Sequence, residues 1–294
     1  MSIRILSAII ALMIVPLTPA LAQMEAVTMP NPNQAGYAQV NGVEVYYAVY
    51  GDGAPLVLLH GGLMAGSGFA PILDTLAMHH RVVTIDLQGH GHTLPFDRPM
   101  TFEAMADDVA GVIEHLDLGP TSVLGYSLGA TTALRLAIQH PELVSRLVHV
   151  SAPYSFAEGW HDYNLEGMRG MSATLADGIM QSPMYAAYAA EAPDSANFPI
   201  LLDKLGDMMR AGFDYSEEIK TLKVPTLLVY GDWDAVRISH AAKFFELLGG
   251  GLQDAGWDGS GMNRNRLAIL PGLTHYTMVS PQLAATALNF IDAP

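Results

Sequence analysis

The stretch Gly125-Tyr126-Ser127-Leu128-Gly129 decides the fold of this chain. It follows a short apolar run, Ser122 to Leu124, and opens a helix-like segment, Leu128 to Gln139, that Pro141 stops. A sharp turn between a strand and a helix strains its central residue, and the neighbours two residues away must lack side chains. Glycine stands at both of those positions, so the pattern predicts that Ser127 is held at a helix N-terminus as a nucleophile.

A nucleophilic serine needs two further groups, because its hydroxyl is weakly reactive until a base takes the proton and a carboxylate orients the base. Asp234 follows the apolar run Thr226 to Tyr230, and His275 follows the run Leu267 to Leu270. Both lie at the C-terminal ends of predicted parallel strands, where open α/β sheets place their sites. They are the predicted acid and base, with Asp232 as the alternative acid.

Apolar runs and helix-like stretches alternate along the rest of the chain. Asn41-Gly42 lies between two strand-like segments and predicts a hairpin near the start. The runs Leu56 to Leu59, Val82 to Ile85 and Leu147 to Val150 are typical of parallel strands buried on both faces. Turns and helical segments such as Phe102 to Leu116 separate the strands, and this order predicts an α/β fold.

The strand rhythm stops between residues 153 and 218, where Met, Ala, Tyr and Pro dominate. This composition predicts a helical insertion that divides the core into residues 23–152 and 219–294. Its methionines either line an adaptable apolar pocket or pack the insertion's own small core. Candidate substrate contacts in the insertion are the aromatic residues Tyr154, Trp160, Tyr163, Tyr185 and Tyr188. A glycine-rich loop, residues 249–261, comes later, and we expect Trp257 to anchor it.

The N-terminal sequence predicts a secretory signal over residues 1–22. Arg4 precedes an apolar run from Ile5 to Val15, and the triplet Ala20-Leu21-Ala22 supplies a cleavage site before Gln23. A membrane anchor is the alternative, but the apolar run is short for a span. We therefore expect an exported protein, periplasmic or secreted, with no stable membrane insertion after cleavage.

Composition narrows the functional classes. The 294 residues carry 14 basic and 29 acidic side chains, a formal charge of −15, which disfavours nucleic acid as a partner and favours a small apolar or neutral substrate. There is no cysteine, so disulfides, a thiol nucleophile and cysteine-ligated metals are excluded. The sequence leaves the oligomeric state open.

These segments together resemble the α/β-hydrolase family over about Tyr37 to Ile291. The resemblance includes His60-Gly61-Gly62, the segment Asp86 to Thr93, and the serine, acid and base segments described above. It implies the α/β-hydrolase fold, with a mostly parallel eight-stranded sheet, helices on both faces and the insertion as a helical cap. It also favours Asp234 over Asp232, because the acid of relatives usually sits three residues after the glycine that ends the strand.

In relatives with a His-Gly-x turn, two backbone N–H groups form the oxyanion hole, which stabilises charge on the substrate's carbonyl oxygen. By resemblance these groups belong to Gly62 and Leu128, and His60 is expected to be a buried turn histidine. Gln88 and Thr93 depart from the Arg and Ser common in relatives, which leaves the ion pairing of that loop open.

The histidines of the same loop offer a metal site as an alternative interpretation, since His90 and His92 lie near Asp86 and His60. One glycine separates His90 from His92, and this pattern fits the family's turn better than a metal site. The other possible ligands are not at a known metal spacing. We therefore expect neither a metal nor a cofactor.

The nucleophile type separates the activities of this family. Serine argues against epoxide hydrolases and haloalkane dehalogenases, which need Asp at the turn, and Leu63 and Tyr126 depart from the pattern of prolyl aminopeptidases. The resemblance implies a serine hydrolase that cleaves carboxylic esters or lactones through an acyl-enzyme on Ser127, with His275 and Asp234. Carbon–carbon bond hydrolase, thioesterase and cofactor-free perhydrolase activities would use the same residues. A non-catalytic ligand receptor of the same fold is a further alternative.

Overall fold

The computed structural model describes residues 29–293, so the predicted signal segment lies outside the described residues. The strands of the core sheet are β1 (Gln34–Val40), β2 (Val43–Tyr50), β3 (Ala54–Leu59), β4 (His80–Ile85), β5 (Thr121–Tyr126), β6 (Val144–Val150), β7 (Thr226–Trp233) and β8 (Arg266–Thr274). They form one eight-stranded sheet in the order β1-β2-β4-β3-β5-β6-β7-β8. Strand β2 runs antiparallel to β1 and β4, and all other neighbouring strands are parallel.

The first two strands form the predicted hairpin. Val40 pairs with Val43, which leaves a two-residue turn at Asn41-Gly42. Both turn residues have positive φ angles, 50° and 77°, as in a type I′ turn. Asn and Gly adopt this region most easily, so the dipeptide sets the register of the hairpin.

Helices cover both faces of the sheet. They are α1 (Ala70–Ala77), α2 (Phe102–His115), α3 (Leu128–Gln139), α4 (Phe156–Gly159), α5 (Asp162–Arg169), α6 (Ala176–Ile179), α7 (Pro183–Glu191), α8 (Phe198–Ala211), α9 (Ser216–Ile219), α10 (Ile238–Leu247) and α11 (Pro281–Ile291). Successive residues of β3 point to opposite faces, so Val57 and Leu59 pack with α2, α3 and α10, whereas Leu56 and Leu58 pack with α1 and α11. The predicted α/β class, with a mostly parallel eight-stranded sheet and helices on both faces, is confirmed.

Helices α4 to α9 follow one another between β6 and β7, where the sequence predicts a helical insertion. Phe198, Leu201 and Leu205 of α8 are buried in the larger apolar cluster, so the insertion shares a core with one face of the sheet. An isolated antiparallel bridge, Trp160 with Val236, joins the insertion to the segment after β7. The exact domain boundaries stay a prediction.

The glycine-rich loop after α10 is a surface feature. Trp257 is fully exposed, so the expectation that it anchors the loop is wrong. Short polar contacts hold the turns instead, because the N–H of Gly256 donates to Asp254 Oδ1 at 2.9 Å and the N–H of Ser260 donates to Asp258 Oδ1 at 3.1 Å. Within residues 29–293, no helix has both the length and the apolar character needed to cross a membrane.

Candidate active site

Ser127 sits at a strained turn between β5 and α3. Its backbone angles, φ 54° and ψ −115°, lie in a region that residues other than glycine rarely adopt. A Cβ on Gly125 would lie 2.3 Å from the carbonyl oxygen of Gly129, and a Cβ on Gly129 would lie 2.1 Å from that of Leu59. Close backbone approach therefore requires both glycines, and the turn holds the serine hydroxyl at the start of a helix.

The structure brings the predicted nucleophile, base and acid together. Ser127 Oγ lies 3.1 Å from His275 Nε2, and His275 Nδ1 lies 3.0 Å from Asp234 Oδ1. Because an ionised carboxylate can only accept, Nδ1 carries the imidazole proton and Nε2 is left to accept the proton of the serine. Asp232 does not reach this site and accepts instead from the N–H of Gly272 at 2.8 Å.

The carboxylate of Asp234 is buried and surrounded by donors. Its Oδ1 also accepts from the N–H of Val236 at 3.1 Å, and its Oδ2 accepts from the Ser151 hydroxyl at 2.5 Å and the N–H of Gly231 at 3.2 Å. Burial by itself would raise the pKa of Asp234. The hydrogen bonds that it accepts from His275 and Ser151 outweigh burial and hold the pKa of Asp234 below its ordinary value. The acid is therefore kept ionised.

Two aromatic residues hold the base in place. The hydroxyl of Tyr126, the residue just before the serine, donates to the carbonyl oxygen of His275 at 2.6 Å. The ring of Trp160 meets the imidazole edge to face, with ring centroids 5.6 Å apart. The side chain of His275 is 10% exposed, so most of the imidazole is shielded from water.

Gly62 and Leu128, whose N–H groups are assigned to the oxyanion hole, line the same cavity as Ser127. Leu128 is the first residue of α3, and its N–H has no partner within the helix. Within the described part of the chain, the N–H of Gly62 likewise donates no hydrogen bond. A Cβ built on Gly62 would lie 4.0 Å from Leu128 Cβ, so the two residues are neighbours. Both donors are available to a ligand, and their role in catalysis stays a prediction.

A cavity of about 370 Å³ opens onto Ser127 and His275. Core and insertion residues both form its wall, so the insertion covers the site as a cap. The wall is mainly apolar, with the side chains of Leu63, Phe102, Phe156, Trp160, Met168, Met171, Leu175, Ile179, Met184, Leu205, Met209 and Phe213. Among the described residues that line it there is no Lys or Arg, and Glu166 is the one carboxylate.

The cap residues singled out from the sequence divide into two groups. Trp160 and Tyr163 line the cavity. Tyr154, Tyr185 and Tyr188 do not, and they pack against neighbouring rings of the core and the cap. Methionines take both expected roles, since several line the cavity while others pack inside the cap.

Sequence reasoning missed several residues of the site. Ser151 directly follows β6, at the edge of the sheet where Asp234 also lies, and this position was the available signal. Phe102 and Phe213 line the site cavity and also a second cavity of about 500 Å³ between α2 and α8. Their rings meet edge to face with centroids 5.0 Å apart and separate the two spaces. Nothing in the sequence around them indicates this role.

His60 is the buried turn histidine that the sequence suggests. Its Nε2 accepts from the N–H of Leu87 at 3.0 Å, so Nδ1 carries the proton and donates to the carbonyl oxygen of Gly61 at 2.8 Å. Burial lowers the pKa of His60 and keeps the ring neutral. Its hydrogen bonds join the turn after β3 to the loop after β4.

The ion pairing left open by the sequence is supplied from further along the same loop. Arg98 Nε donates to Gln88 Oε1 at 3.1 Å, and the guanidinium also pairs with Asp108. The hydroxyl oxygen of Thr93 accepts from the N–H of Tyr46 at 2.9 Å, which ties the loop to β2. Gln88 and Thr93 therefore keep structural roles.

The described residues include one group of possible metal ligands, Asp86, His92 and Glu191. Their ligand atoms lie within 4.8 Å of one another and could hold a metal ion. The oxygens of Asp86 already accept from the N–H of Gly66 at 2.8 Å and from the N–H and Nδ1 of His92 at 2.9 Å each. Glu191 accepts from the hydroxyl of Ser67. These internal hydrogen bonds join the core to α7, and the expectation that no metal binds stays a prediction.

Comparisons with known proteins agree with this architecture. A family model for the α/β hydrolase fold matches residues 54–178. The 2-hydroxy-6-oxo-6-(2'-aminophenyl)hexa-2,4-dienoic acid hydrolase of Metapseudomonas resinovorans is 26% identical, over 87% of this chain and 90% of the relative. A pimeloyl-[acyl-carrier protein] methyl ester esterase of Aliivibrio fischeri is 27% identical, over 67% of this chain and 82% of the relative. The crystal structure of a serine hydrolase involved in carbazole degradation is 26% identical, with a TM-score of 0.67 over 88% of this chain and 98% of that one. The chain is therefore a hydrolase with the α/β-hydrolase fold.

Proposed function

We propose that this protein hydrolyses a carboxylic ester or lactone by forming an acyl-enzyme on Ser127. The observation that carries the proposal is the line of hydrogen bonds from Ser127 Oγ through His275 to Asp234, which starts in an apolar cavity. A hydroxyl bonded to a neutral imidazole, itself oriented by a buried carboxylate, is activated for attack on a carbonyl carbon.

The reaction has two halves. In the first, Ser127 Oγ bonds to the carbonyl carbon while its proton moves to His275 Nε2. The N–H groups of Gly62 and Leu128 donate to the oxyanion, and Asp234 stabilises the imidazolium. The tetrahedral intermediate expels the alcohol, which takes the proton from Nε2. In the second half, water attacks the acyl group with the same base, and the acid leaves as the serine regains its proton.

The cavity wall favours a neutral substrate. A carboxylate buried among apolar side chains is unstable without a permanent cationic partner, and the described lining residues include no Lys or Arg. This supports a neutral ester or lactone over the dienoic acid in the name of the Metapseudomonas resinovorans relative. Hydrolysis of such an acid is the second candidate function, because that relative aligns with 87% of this chain.

We also propose that the protein acts outside the cytoplasm, in the periplasm or the medium. The support is the charged, apolar and small-residue pattern of residues 1–22. N-terminal sequencing of the protein from an expressing bacterium tests this. A mature N-terminus at Gln23 in the soluble exported fraction is expected, whereas an intact Met1 in the membrane or cytoplasmic fraction would contradict the proposal.

A substrate panel tests the proposed activity. The mature protein is incubated with p-nitrophenyl esters of graded acyl length, with simple lactones and with a 6-oxo-dienoic acid. Three proteins are compared: wild type, Ser127→Ala and the control Ser122→Ala, which removes a buried hydroxyl from the preceding strand, β5. We expect rapid hydrolysis of neutral esters or lactones by wild type and Ser122→Ala, and almost none by Ser127→Ala.

The panel also decides between the candidates. If only the dienoic acid is turned over, the second candidate function, hydrolysis of such an acid, would replace ester or lactone hydrolysis as the assigned activity. Ester hydrolysis that survives in pure Ser127→Ala would contradict the proposal as a whole.

A further inference from the structure

Ser151 has an unusual backbone conformation next to the proposed site. It directly follows β6, is fully buried and has a φ of 55°, in the left-handed region that disfavours residues with a Cβ. Its N–H donates to the carbonyl oxygen of Val229 at 2.9 Å, so β7 holds the backbone in this position. Strain of this kind persists where the surrounding structure enforces it, which is common at functional sites.

The side chain of Ser151 points at the acid. Its hydroxyl donates to Asp234 Oδ2 at 2.5 Å, a short hydrogen bond to a buried carboxylate. The other oxygen, Oδ1, accepts from His275 and from the N–H of Val236. Without Ser151, Oδ2 would keep only the longer contact from the N–H of Gly231 at 3.2 Å. The serine therefore fixes the rotation of the carboxylate that orients the base.

We propose that Ser151 is a positioning residue that acts on catalysis through Asp234. This inference rests on the proposed function, because it assigns Asp234 to the orientation of His275. Ser151 does not line the site cavity, so it does not touch the substrate. Its removal is expected to lower kcat and to leave KM nearly unchanged.

Two substitutions separate positioning from a role in folding. Ser151→Gly removes the hydroxyl and also relieves the strain at positive φ, whereas Ser151→Ala removes the hydroxyl and keeps the strain. A positioning role predicts similar losses of kcat in both variants, by about tenfold to a hundredfold, the range that one hydrogen bond to a charged group represents. Because only Ser151→Gly relieves the backbone strain, we also expect it to unfold at a higher temperature than Ser151→Ala.

A double-mutant cycle is the decisive measurement. We would measure kcat and KM on the best p-nitrophenyl ester for wild type, Ser151→Gly, Asp234→Asn and the double variant, with Ser122→Ala as the control. If Ser151 acts through Asp234, its removal has little further effect once Asp234 is Asn. Multiplicative losses in the double variant, or a wild-type kcat in Ser151→Gly, would overturn this assignment alone. Turnover that survives in Ser127→Ala would overturn the proposed function and the role of Ser151 with it.

Discussion

Replacing the buried His149 by Leu is expected to make the protein less sensitive to acid. His149 has no solvent exposure, and within the described part of the chain neither ring nitrogen has a hydrogen-bond partner. Its ring packs edge to face on Phe244, with centroids 5.1 Å apart. Burial lowers the pKa of His149 to about 3, so the folded protein holds it neutral. Burial lowers the pKa of His90 to about 3 in the same way.

The size of the effect follows from proton linkage. In the unfolded chain a histidine has a pKa of about 6.5, so below that pH the unfolded state takes a proton that the folded state refuses. Above about pH 6.5 the two states bind equally and no stability is lost. Below it, each such histidine lowers the free energy of unfolding by about 1.4 kcal/mol per pH unit, until the folded pKa is reached. At pH 5 the loss from His149 alone is about 2 kcal/mol.

The assay is urea denaturation of wild type and His149→Leu at several values between pH 5 and pH 8, with His79→Gln as a control for an exposed histidine. Wild type and His79→Gln should share one slope of unfolding free energy against pH below about 6.5. For His149→Leu the slope should be shallower by about 1.4 kcal/mol per pH unit, which corresponds to one proton fewer taken up on unfolding. The comparison uses slopes, so a uniform change in stability from the substitution does not affect it. Equal slopes in all three proteins would refute the reasoning.

Three further predictions concern the site. Asp234→Asn should lower kcat by about ten thousandfold because the imidazole loses its correct tautomer. In the same ester assay, the kcat of Asp232→Asn should stay near that of wild type. Equal losses of kcat in the two variants would show that Asp234 is not the acid. Gly129→Ala drives a Cβ to 2.1 Å from a backbone oxygen, whereas Gly178→Ala meets nothing within 4 Å. Urea denaturation should therefore show a loss of about 3 kcal/mol or more for the first and little change for the second. Phe213→Ala removes a ring that lies between the site cavity and the second cavity. For long acyl chains, kcat/KM should then rise by roughly fourfold for each additional methylene that becomes buried. An unchanged dependence of kcat/KM on chain length would contradict a dividing role for this ring.

Local chemistry made much of the fold predictable. The Asn41-Gly42 turn needs two positive φ angles, and the sequence supplies the two residues that adopt them most easily. The bounds of the helix Leu128–Gln139 agree with the expectation, because the glycine-flanked turn marks its start and Pro141 follows its end. The glycines around Ser127 are readable for the same reason, since each avoids a specific backbone clash.

Features that depend on contacts between distant parts of the chain were harder to predict from the sequence. The hydrogen bond between Ser151 and Asp234 joins residues 83 positions apart, and a lone serine after a strand carries no distinguishing pattern. The wall formed by Phe102 and Phe213 depends on how the cap lies over the core, which no local sequence pattern records. Trp257 was misjudged because a large apolar side chain in a glycine-rich loop usually packs somewhere, and here it stays exposed.

Covalent labelling tests the central claim, that Ser127 is the nucleophile, most directly. Wild type, Ser127→Ala and Ser122→Ala would each be treated with a fluorophosphonate, and the intact mass and the modified peptide would then be determined. We predict one adduct per chain in wild type and Ser122→Ala, located on Ser127, and no adduct in Ser127→Ala. An ester-hydrolysing protein that remains unlabelled, or an adduct on another residue that persists in Ser127→Ala, would contradict it.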